Sequence, residues 1–157
     1  MADARVVANR FLELAEADGQ NNMTPMQLLK LVYIAHGWML GLYNRPLIDS
    51  EVEAWQYGPV IPDLYNAVKG YKSGGVRGPL DLRWGSRAEE LDAGENDLVS
   101  QVYGLYGHMN GVALSRITHA ANTPWSQIYS PGRFGEIIPR DLIADHYARL
   151  ARERRKH

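Results

Sequence analysis

The sequence predicts a mainly α-helical domain: a compact bundle of about six or seven helices with a short β-strand or hairpin inserted after the second helix. Two observations lead to this prediction. Apolar residues recur every three or four positions in several segments that open on a capping residue or a proline, which is typical of amphipathic helices. Only one segment, after the second of these helices, alternates polar and apolar residues with the period of two expected for a strand.

The first helix is predicted to begin after Asp3, whose carboxylate can accept a hydrogen bond from a backbone N–H of the first turn. Gly19 and the pair Asn21–Asn22 are expected to end it, because glycine and asparagine favour helix ends and turns. Apolar residues follow Asp3 at helical spacing. They are Val6, Val7, Phe11, Leu12 and Leu14.

The second helix carries a stronger start signal. Thr24 can cap it, Pro25 fits the first helical position because its missing N–H would be unpaired there anyway, and Gln27 completes a capping box. Apolar residues then form one broad stripe, so we expect a long central helix that ends at Gly41 or Tyr43.

The predicted strand lies in the segment 47–57, LIDSEVEAWQY, where polar and apolar residues alternate over residues 51–54 and an aromatic-rich end follows. This period of two predicts a short strand, with Leu47–Ile48 as the other half of a small hairpin. Gly58–Pro59 is expected to turn the chain after the strand, because glycine and proline together favour turns.

The remaining chain predicts further helices separated by turns. One helix opens at Pro62, another begins near Glu95, a short one covers 112–121, and a turn begins at Pro124. The last helix opens at Pro139 and ends in a basic run, residues 149–157, whose end could fray. Residues 73–94 are rich in glycine and charge, which favours an exposed loop.

The composition limits the class of protein. A chain of 157 residues with 45% hydrophobic and 22% charged residues suits one globular domain, so we expect residues 1–157 to form a single domain. Seventeen basic and 18 acidic residues give a net charge of −1, so the overall charge does not attract nucleic acid or membranes. The absence of cysteine excludes disulfides, thiolate metal sites and cysteine nucleophiles.

No targeting or membrane-spanning segment is expected. The first 19 residues carry several charges and therefore lack the apolar core of a secretory signal peptide. The most apolar stretch, residues 28–43, is interrupted by Lys30 and His36 and falls short of the roughly 20 apolar residues that a membrane span needs. We expect a cytoplasmic protein without membrane contact.

Signals for catalysis or a metal site are weak, and we expect neither enzymatic activity nor a cofactor. No histidine lies in an H-E-x-x-H motif and no serine in a G-x-S-x-G motif. Ser115 and His119 are four residues apart on a predicted helix and could meet, but such pairs often arise by chance. Asp49, Glu51 and Glu53 share one face of the predicted strand, which is more typical of a solvated edge than of an acid–base pair.

The aromatic content is the most distinctive feature, with four Trp and nine Tyr residues. Trp55, Tyr57 and Pro59 fall at the predicted strand end and turn, where at least one ring is expected to be partly exposed. Large aromatic residues beside a turn often anchor protein interfaces. His36 and Trp125 join these candidate contacts if they lie nearby. An interaction surface and the rim of the core are both consistent with this pattern.

Three blocks in order resemble the Panacea (SocA-like) antitoxin domain, a family that includes phage-associated GepA-type proteins. They are TPMQLLKLVYIAHGWML within residues 24–42, WQYGPVIPDLY within 53–65 and SRITHAANTPW within 114–125. The resemblance implies a mainly α-helical domain with a small β element. It also implies a function, the neutralisation of a cognate protein toxin by direct binding. It supplies no catalytic residues.

Alternatives to a toxin-binding antitoxin remain open. The chain could be a phage or mobile-element protein that binds a host factor, or an adaptor that delivers a toxin to a protease. The basic C-terminal run could instead contact DNA in an autoregulator, although cations at a helix C-terminus also complement the helix dipole and the rest of the chain is not basic. The excess of Tyr and Trp fits self-association as readily as binding to another protein.

Overall fold

A computed structural model describes residues 1–82 and 91–155. Within these ranges the chain is mainly α-helical, with one 3₁₀ turn at Lys69–Tyr71 and one small sheet. The helices are α1 (Ala4–Ala17), α2 (Pro25–Tyr43), α3 (Pro62–Val68), α4 (Ala93–Tyr106), α5 (Gly111–Thr118), α6 (Pro124–Ile128) and α7 (Arg140–Arg155). The strands are β1 (Glu53–Trp55), β2 (Gly58–Val60) and β3 (Glu136–Ile137). This confirms the predicted fold class.

Side-chain caps define the starts of the first two helices, as predicted. Asp3 Oδ1 accepts a hydrogen bond from the backbone N–H of Arg5 at 2.9 Å. Thr24 Oγ1 accepts from Gln27 N at 3.2 Å, and Gln27 Oε1 accepts from Thr24 N at 2.9 Å, which closes the capping box. The long helix α2 ends at Tyr43, within the predicted range.

Helix α2 is the centre of the molecule and contacts α1, α4, α5 and α7. Its residues from Leu28 to Leu40 are all buried. Helix α7 approaches α2 closely at Gly37 and Gly41, where an added Cβ would overlap the ring and backbone of Tyr147. Glycine at these two positions therefore sets the distance between the two longest helices of the described residues.

The small sheet corrects two details of the prediction. Its strand order is β2-β1-β3, with both pairs antiparallel, and the turn between β1 and β2 consists of Gln56 and Tyr57. The predicted turn at Gly58–Pro59 is therefore wrong, because both residues lie in β2, and the hairpin partner of β1 is β2 rather than Leu47–Ile48. An alternating pattern specifies which face of a strand is buried but not which segment pairs with it.

The segment Leu47–Ile48 pairs instead with the N-terminus of the chain. Ala2 N donates to Leu47 O at 2.9 Å, and Asp49 N donates to Ala2 O at 2.9 Å. Leu47 and Ile48 have no exposed surface, so this pairing places two apolar side chains in the core. It also gives hydrogen-bond partners to the buried backbone groups beside them.

Two other segments differ from the expected loop and turn. The predicted turn at Pro124 is the short helix α6, capped by Thr123. In the predicted loop 73–94, Val76 and Leu80 are buried, and the Asn9 side chain bonds both backbone groups of Leu80. Residues 83–90 of that loop lie outside the described residues.

The basic end of α7 is helical as far as Arg155, the last described residue. The guanidinium of Arg154 lies 5.0 Å from the ring centroid of Trp38 and donates to the Tyr106 hydroxyl at 3.0 Å. This cation therefore packs on the body of the domain. Within the described ranges, no helix is long and apolar enough to cross a membrane.

Candidate interaction surface at the β-hairpin

The β1–β2 hairpin is held by side chains from three different helices. Each donates a hydrogen bond to one of three alternate backbone carbonyls of the hairpin. The bonds run from Trp125 Nε1 to Trp55 O at 2.6 Å, from Ser115 Oγ to Tyr57 O at 2.9 Å, and from Lys30 Nζ to Pro59 O at 2.8 Å. Helices α6, α5 and α2 therefore fix the position of the hairpin and its turn.

Ser115 and His119 do meet, and their arrangement is structural. Ser115 Oγ lies 3.2 Å from His119 Nδ1. Because the serine hydroxyl donates its proton to Tyr57 O, it accepts a hydrogen bond from the imidazole N–H. The histidine therefore does not act as a base toward Ser115 in this geometry, and the pair supports the hairpin turn.

Lys30 is an unusual member of this network because it carries a charge into the interior. Its side chain is only 3% exposed, and burial lowers its pKa to about 8. At neutral pH this side chain is therefore mostly in its charged ammonium form. Gly58 makes room for it: an added Cβ there would lie 3.1 Å from Lys30 Nζ, and the φ angle of Gly58 is +121°.

The outer side of the hairpin carries a group of aromatic rings, which we call the hairpin aromatic face. It consists of Trp55, Tyr57, Tyr65 and Phe134. Tyr57 is 68% exposed and Phe134 is 78% exposed. The partly exposed ring of Trp55 lies between Tyr65 and Phe134, with centroid distances of 4.9 and 5.0 Å. Glu53 Oε1 accepts from the Trp55 indole N–H at 3.0 Å and so fixes this ring.

The structure brings four of the five predicted contact residues together. Trp55 and Tyr57 contribute to the aromatic face, whereas Pro59 is buried in β2. Trp125 is partly exposed, supports the hairpin through its indole N–H, and stacks on Tyr129 with a centroid distance of 4.7 Å. Their position around one hairpin follows from the three hydrogen bonds that join it to the helices.

His36 lies elsewhere, in the core, with no exposed surface. Its Nδ1 accepts hydrogen bonds from the backbone N–H groups of Leu47 and Ile48, at 3.2 and 3.4 Å. Burial, together with the nearby charge of Arg140, lowers its pKa to about 3. His36 is therefore a neutral structural group, and it offers no surface to a partner in this conformation.

Phe134 is the member of the aromatic face that sequence reasoning missed. It lies in the loop before β3, flanked by Arg133 and Gly135. Pairing of β3 with β1 brings this loop beside Trp55. A lone aromatic residue in a glycine-flanked loop has no helical face through which to be buried, and this signal could have marked it as exposed.

Comparison with known proteins identifies the family. Residues 28–126 match the family described as antitoxin SocA-like, Panacea domain. The chain belongs to the SocA-like Panacea antitoxin family. Antitoxin SocA from Caulobacter vibrioides (strain NA1000 / CB15N) is 30% identical over 138 residues, which cover 80% of this chain and 70% of that protein. No solved structure matches the chain.

Membership in the SocA-like Panacea family supports an antitoxin role in general terms. The matched region contains the hairpin and all three side chains that hold it, Lys30, Ser115 and Trp125. Phe134 lies outside the matched region. Among residues 1–82 and 91–155, no three histidine or carboxylate side chains are grouped so that they could hold a metal ion.

Proposed function

We propose that this chain is the antitoxin of a bacterial or prophage toxin–antitoxin pair, and that it neutralises its cognate toxin by binding it directly through the hairpin aromatic face. The observation that carries the proposal is the exposure of Tyr57 and Phe134 on a hairpin that three helices hold in place. Large exposed aromatic rings are common anchors of protein interfaces.

The rigid support of the hairpin favours binding over a role in catalysis. A surface that is already ordered loses little conformational entropy when a partner docks, so more of the contact energy contributes to affinity. The Ser115 hydroxyl, which a catalytic pair with His119 would need, donates its proton to the carbonyl oxygen of Tyr57 and so holds the hairpin. The aromatic face thus supplies the contact area, and the hydrogen bonds from Lys30, Ser115 and Trp125 fix the conformation of the hairpin that carries it.

Inducible co-expression in a bacterial host tests this proposal. The open reading frame next to this chain is expressed alone and together with the chain, and growth is followed. We expect growth arrest by the neighbour and its relief by the chain, with co-purification of the two proteins. Relief without co-purification would instead support delivery to a protease or repression.

Absence of arrest would contradict a toxin in the neighbouring position and support a phage or mobile-element protein that binds a host factor. A DNA-binding autoregulator predicts a different result: binding to the promoter DNA of its own operon that weakens steeply with salt. Removal of the exposed charges of Arg152 and Arg155 would abolish that DNA binding and leave co-purification with the toxin unchanged.

A further inference from the structure

An open groove of about 470 Å³ lies beside the hairpin aromatic face. Trp55, Tyr57, Tyr65 and Phe134 contribute to its lining, and the first turns of α2 contribute apolar side chains such as Met26 and Leu29. The groove is also basic. Three of the four lysines in the chain line it, Lys30, Lys69 and Lys72, and none of the described lining residues is acidic.

The charge of Lys30 is only partly compensated. Its ammonium donates one hydrogen bond, to the carbonyl oxygen of Pro59, although an ammonium carries three N–H groups. The ion pairs among the described residues do not include Lys30, Lys69 or Lys72. A buried cation without a carboxylate partner is costly in the free protein, and negative charge bound in the adjoining groove would offset part of that cost.

We propose that this groove binds an acidic segment of the toxin in which carboxylate side chains alternate with large apolar side chains. Its carboxylates pair with the exposed Lys69 and Lys72 at the rim, the charge of the buried Lys30 adds to their attraction, and the apolar side chains pack on Trp55, Tyr57 and Phe134. The inference rests on the proposed function, because it specifies the chemistry of the partner that the aromatic face recognises.

Charge complementarity favours this occupant over other anions. The C-terminus of a chain offers a single carboxylate, whereas three lysines line the groove and two of them, Lys69 and Lys72, are exposed. A single-stranded nucleic acid also combines negative charge with stackable rings, but it needs a basic track that follows its backbone, and the chain as a whole has a net charge of −1. A protein segment with several acidic side chains fits both the lysines and the apolar wall of the groove.

Fluorescence anisotropy with labelled peptides tests the chemistry of the groove without the toxin. The probes are a ten-residue peptide that alternates glutamate with leucine or phenylalanine, and a counterpart with glutamine at every glutamate position. We expect the full chain to bind the acidic peptide at least tenfold more tightly than the glutamine peptide. Equal binding of the two, or tighter binding of a ten-nucleotide oligothymidylate, would overturn the inference.

Matched charge-reversal variants locate the binding. Lys69→Glu/Lys72→Glu changes two exposed groove residues, and Arg152→Glu/Arg155→Glu makes the same change in charge on the exposed end of α7. We expect the first variant to bind the acidic peptide at least tenfold more weakly and the second within twofold of the wild type. An equal loss of affinity in both variants would mean that the peptide responds to the overall charge of the protein, and it would overturn the groove as the binding site.

The co-expression assay separates failure of this inference from failure of the proposed function. Relief of growth arrest by the wild type and by the α7 variant, but not by the groove variant, supports both. If Lys69→Glu/Lys72→Glu relieves growth arrest fully, the groove is not the toxin-binding site, although the proposed antitoxin function is still supported. If the wild type gives no relief, the proposed function fails, and the peptide titration alone decides the chemistry of the groove.

Discussion

The ammonium nitrogen of Lys30, on the central helix α2, lies 2.8 Å from the carbonyl oxygen of Pro59 in the hairpin. Burial lowers the pKa of Lys30 from 10.5 to about 8, which corresponds to a cost of about 3 kcal/mol for keeping it charged at neutral pH. The hydrogen bond to a buried carbonyl contributes about 1 to 3 kcal/mol. The two effects are similar in size, so the net contribution of Lys30 to stability is small.

Replacement of this charge tests that balance. We expect Lys30→Met to keep the free energy of unfolding at pH 7 within about 1 kcal/mol of the wild type or to raise it, because the loss of one hydrogen bond is offset by removal of a buried charge. Urea denaturation followed by circular dichroism measures the change. A loss of more than about 3 kcal/mol would mean that the bond to Pro59 dominates.

The pH dependence of the same variant provides a second measurement. Between pH 8 and 9.5 the unfolded chain keeps the Lys30 proton while the folded chain releases it, so the stability of the wild type rises with pH. The expected gain is about 2 kcal/mol, and it should be absent in Lys30→Met. The measurement stays below the pH at which tyrosines ionise. Burial raises the pKa of Tyr33 and Tyr147 in the folded protein, so at higher pH these residues lose their protons first in the unfolded chain. That ionisation would lower the stability of the folded state and obscure the effect of Lys30.

Gly58 is expected to be sensitive to substitution for two reasons. Its φ angle of +121° strains any other residue by about 1 to 3 kcal/mol, and an added Cβ would lie 3.1 Å from Lys30 Nζ. We therefore expect Gly58→Ala to lower the free energy of unfolding by more than Gly132→Ala. Gly132 also has a positive φ, of +86°, but no atom lies within 4 Å of its added Cβ. Equal effects would show that contact with Lys30 contributes nothing.

The close approach of α2 and α7 gives a further prediction. An added Cβ at Gly41 would lie 2.6 Å from Tyr147 Cβ and 2.7 Å from the backbone nitrogen of Ala148, so the helices would have to separate. We expect Gly41→Ala to destabilise the protein by about 1 to 3 kcal/mol. Gly104→Ala on the exposed side of α4 meets no atom within 4 Å and should stabilise by about 0.5 to 1 kcal/mol. Thermal denaturation compares the two.

Features encoded in neighbouring residues could be predicted from the sequence. The caps at Asp3 and at Thr24–Gln27 are such features, because the donor and the acceptor are three residues apart or fewer. The same local reasoning predicts that at least one of the rings of Trp55 and Tyr57 is partly exposed, because both residues precede Gly58, and the structure confirms it.

Features that depend on contacts between distant residues could not be predicted. The pairing of β1 with β2 and β3, the position of Phe134 beside Trp55, and the close packing at Gly41 all join segments whose sequences do not specify each other. The burial of His36 also belongs here, because its two hydrogen-bond donors lie after the end of α2. Periodicity gives the buried face of an element but not its neighbour.

His36 makes a prediction for acidic pH. Its folded pKa of about 3 lies below the ordinary value of 6.5, so the unfolded chain binds the proton first and stability falls as the pH drops below 6.5. Protonation would also remove the lone pair that accepts from Leu47 N and Ile48 N. We expect the wild type to lose on the order of 2 to 3 kcal/mol between pH 6.5 and 4.5, and His36→Asn to lose much less.

Asp92→Asn is the control for this titration. The backbone N–H of Glu95 and the nearby Arg45 lower the pKa of Asp92 below 3.8, so its contribution is lost only at still lower pH. The slope between pH 6.5 and 4.5 should therefore match the wild type. His146 leaves a small residual slope in every variant, because partial burial also lowers its pKa. An unchanged slope in His36→Asn would contradict the buried neutral imidazole.

The exposed rings of the aromatic face give the most direct test of the proposed binding. Tyr57 and Phe134 are mostly exposed, so alanine at either position should change the free energy of unfolding by less than about 0.5 kcal/mol. If they anchor the toxin, each substitution should weaken binding at least tenfold, or about 1.4 kcal/mol. Leu105→Ala on α4 is the control, because Leu105 is likewise mostly exposed, at 61%, but does not line the groove. This variant should bind the toxin as tightly as the wild type does. Titration of the purified toxin by calorimetry measures all three variants, and equal affinities would place the interface on another surface.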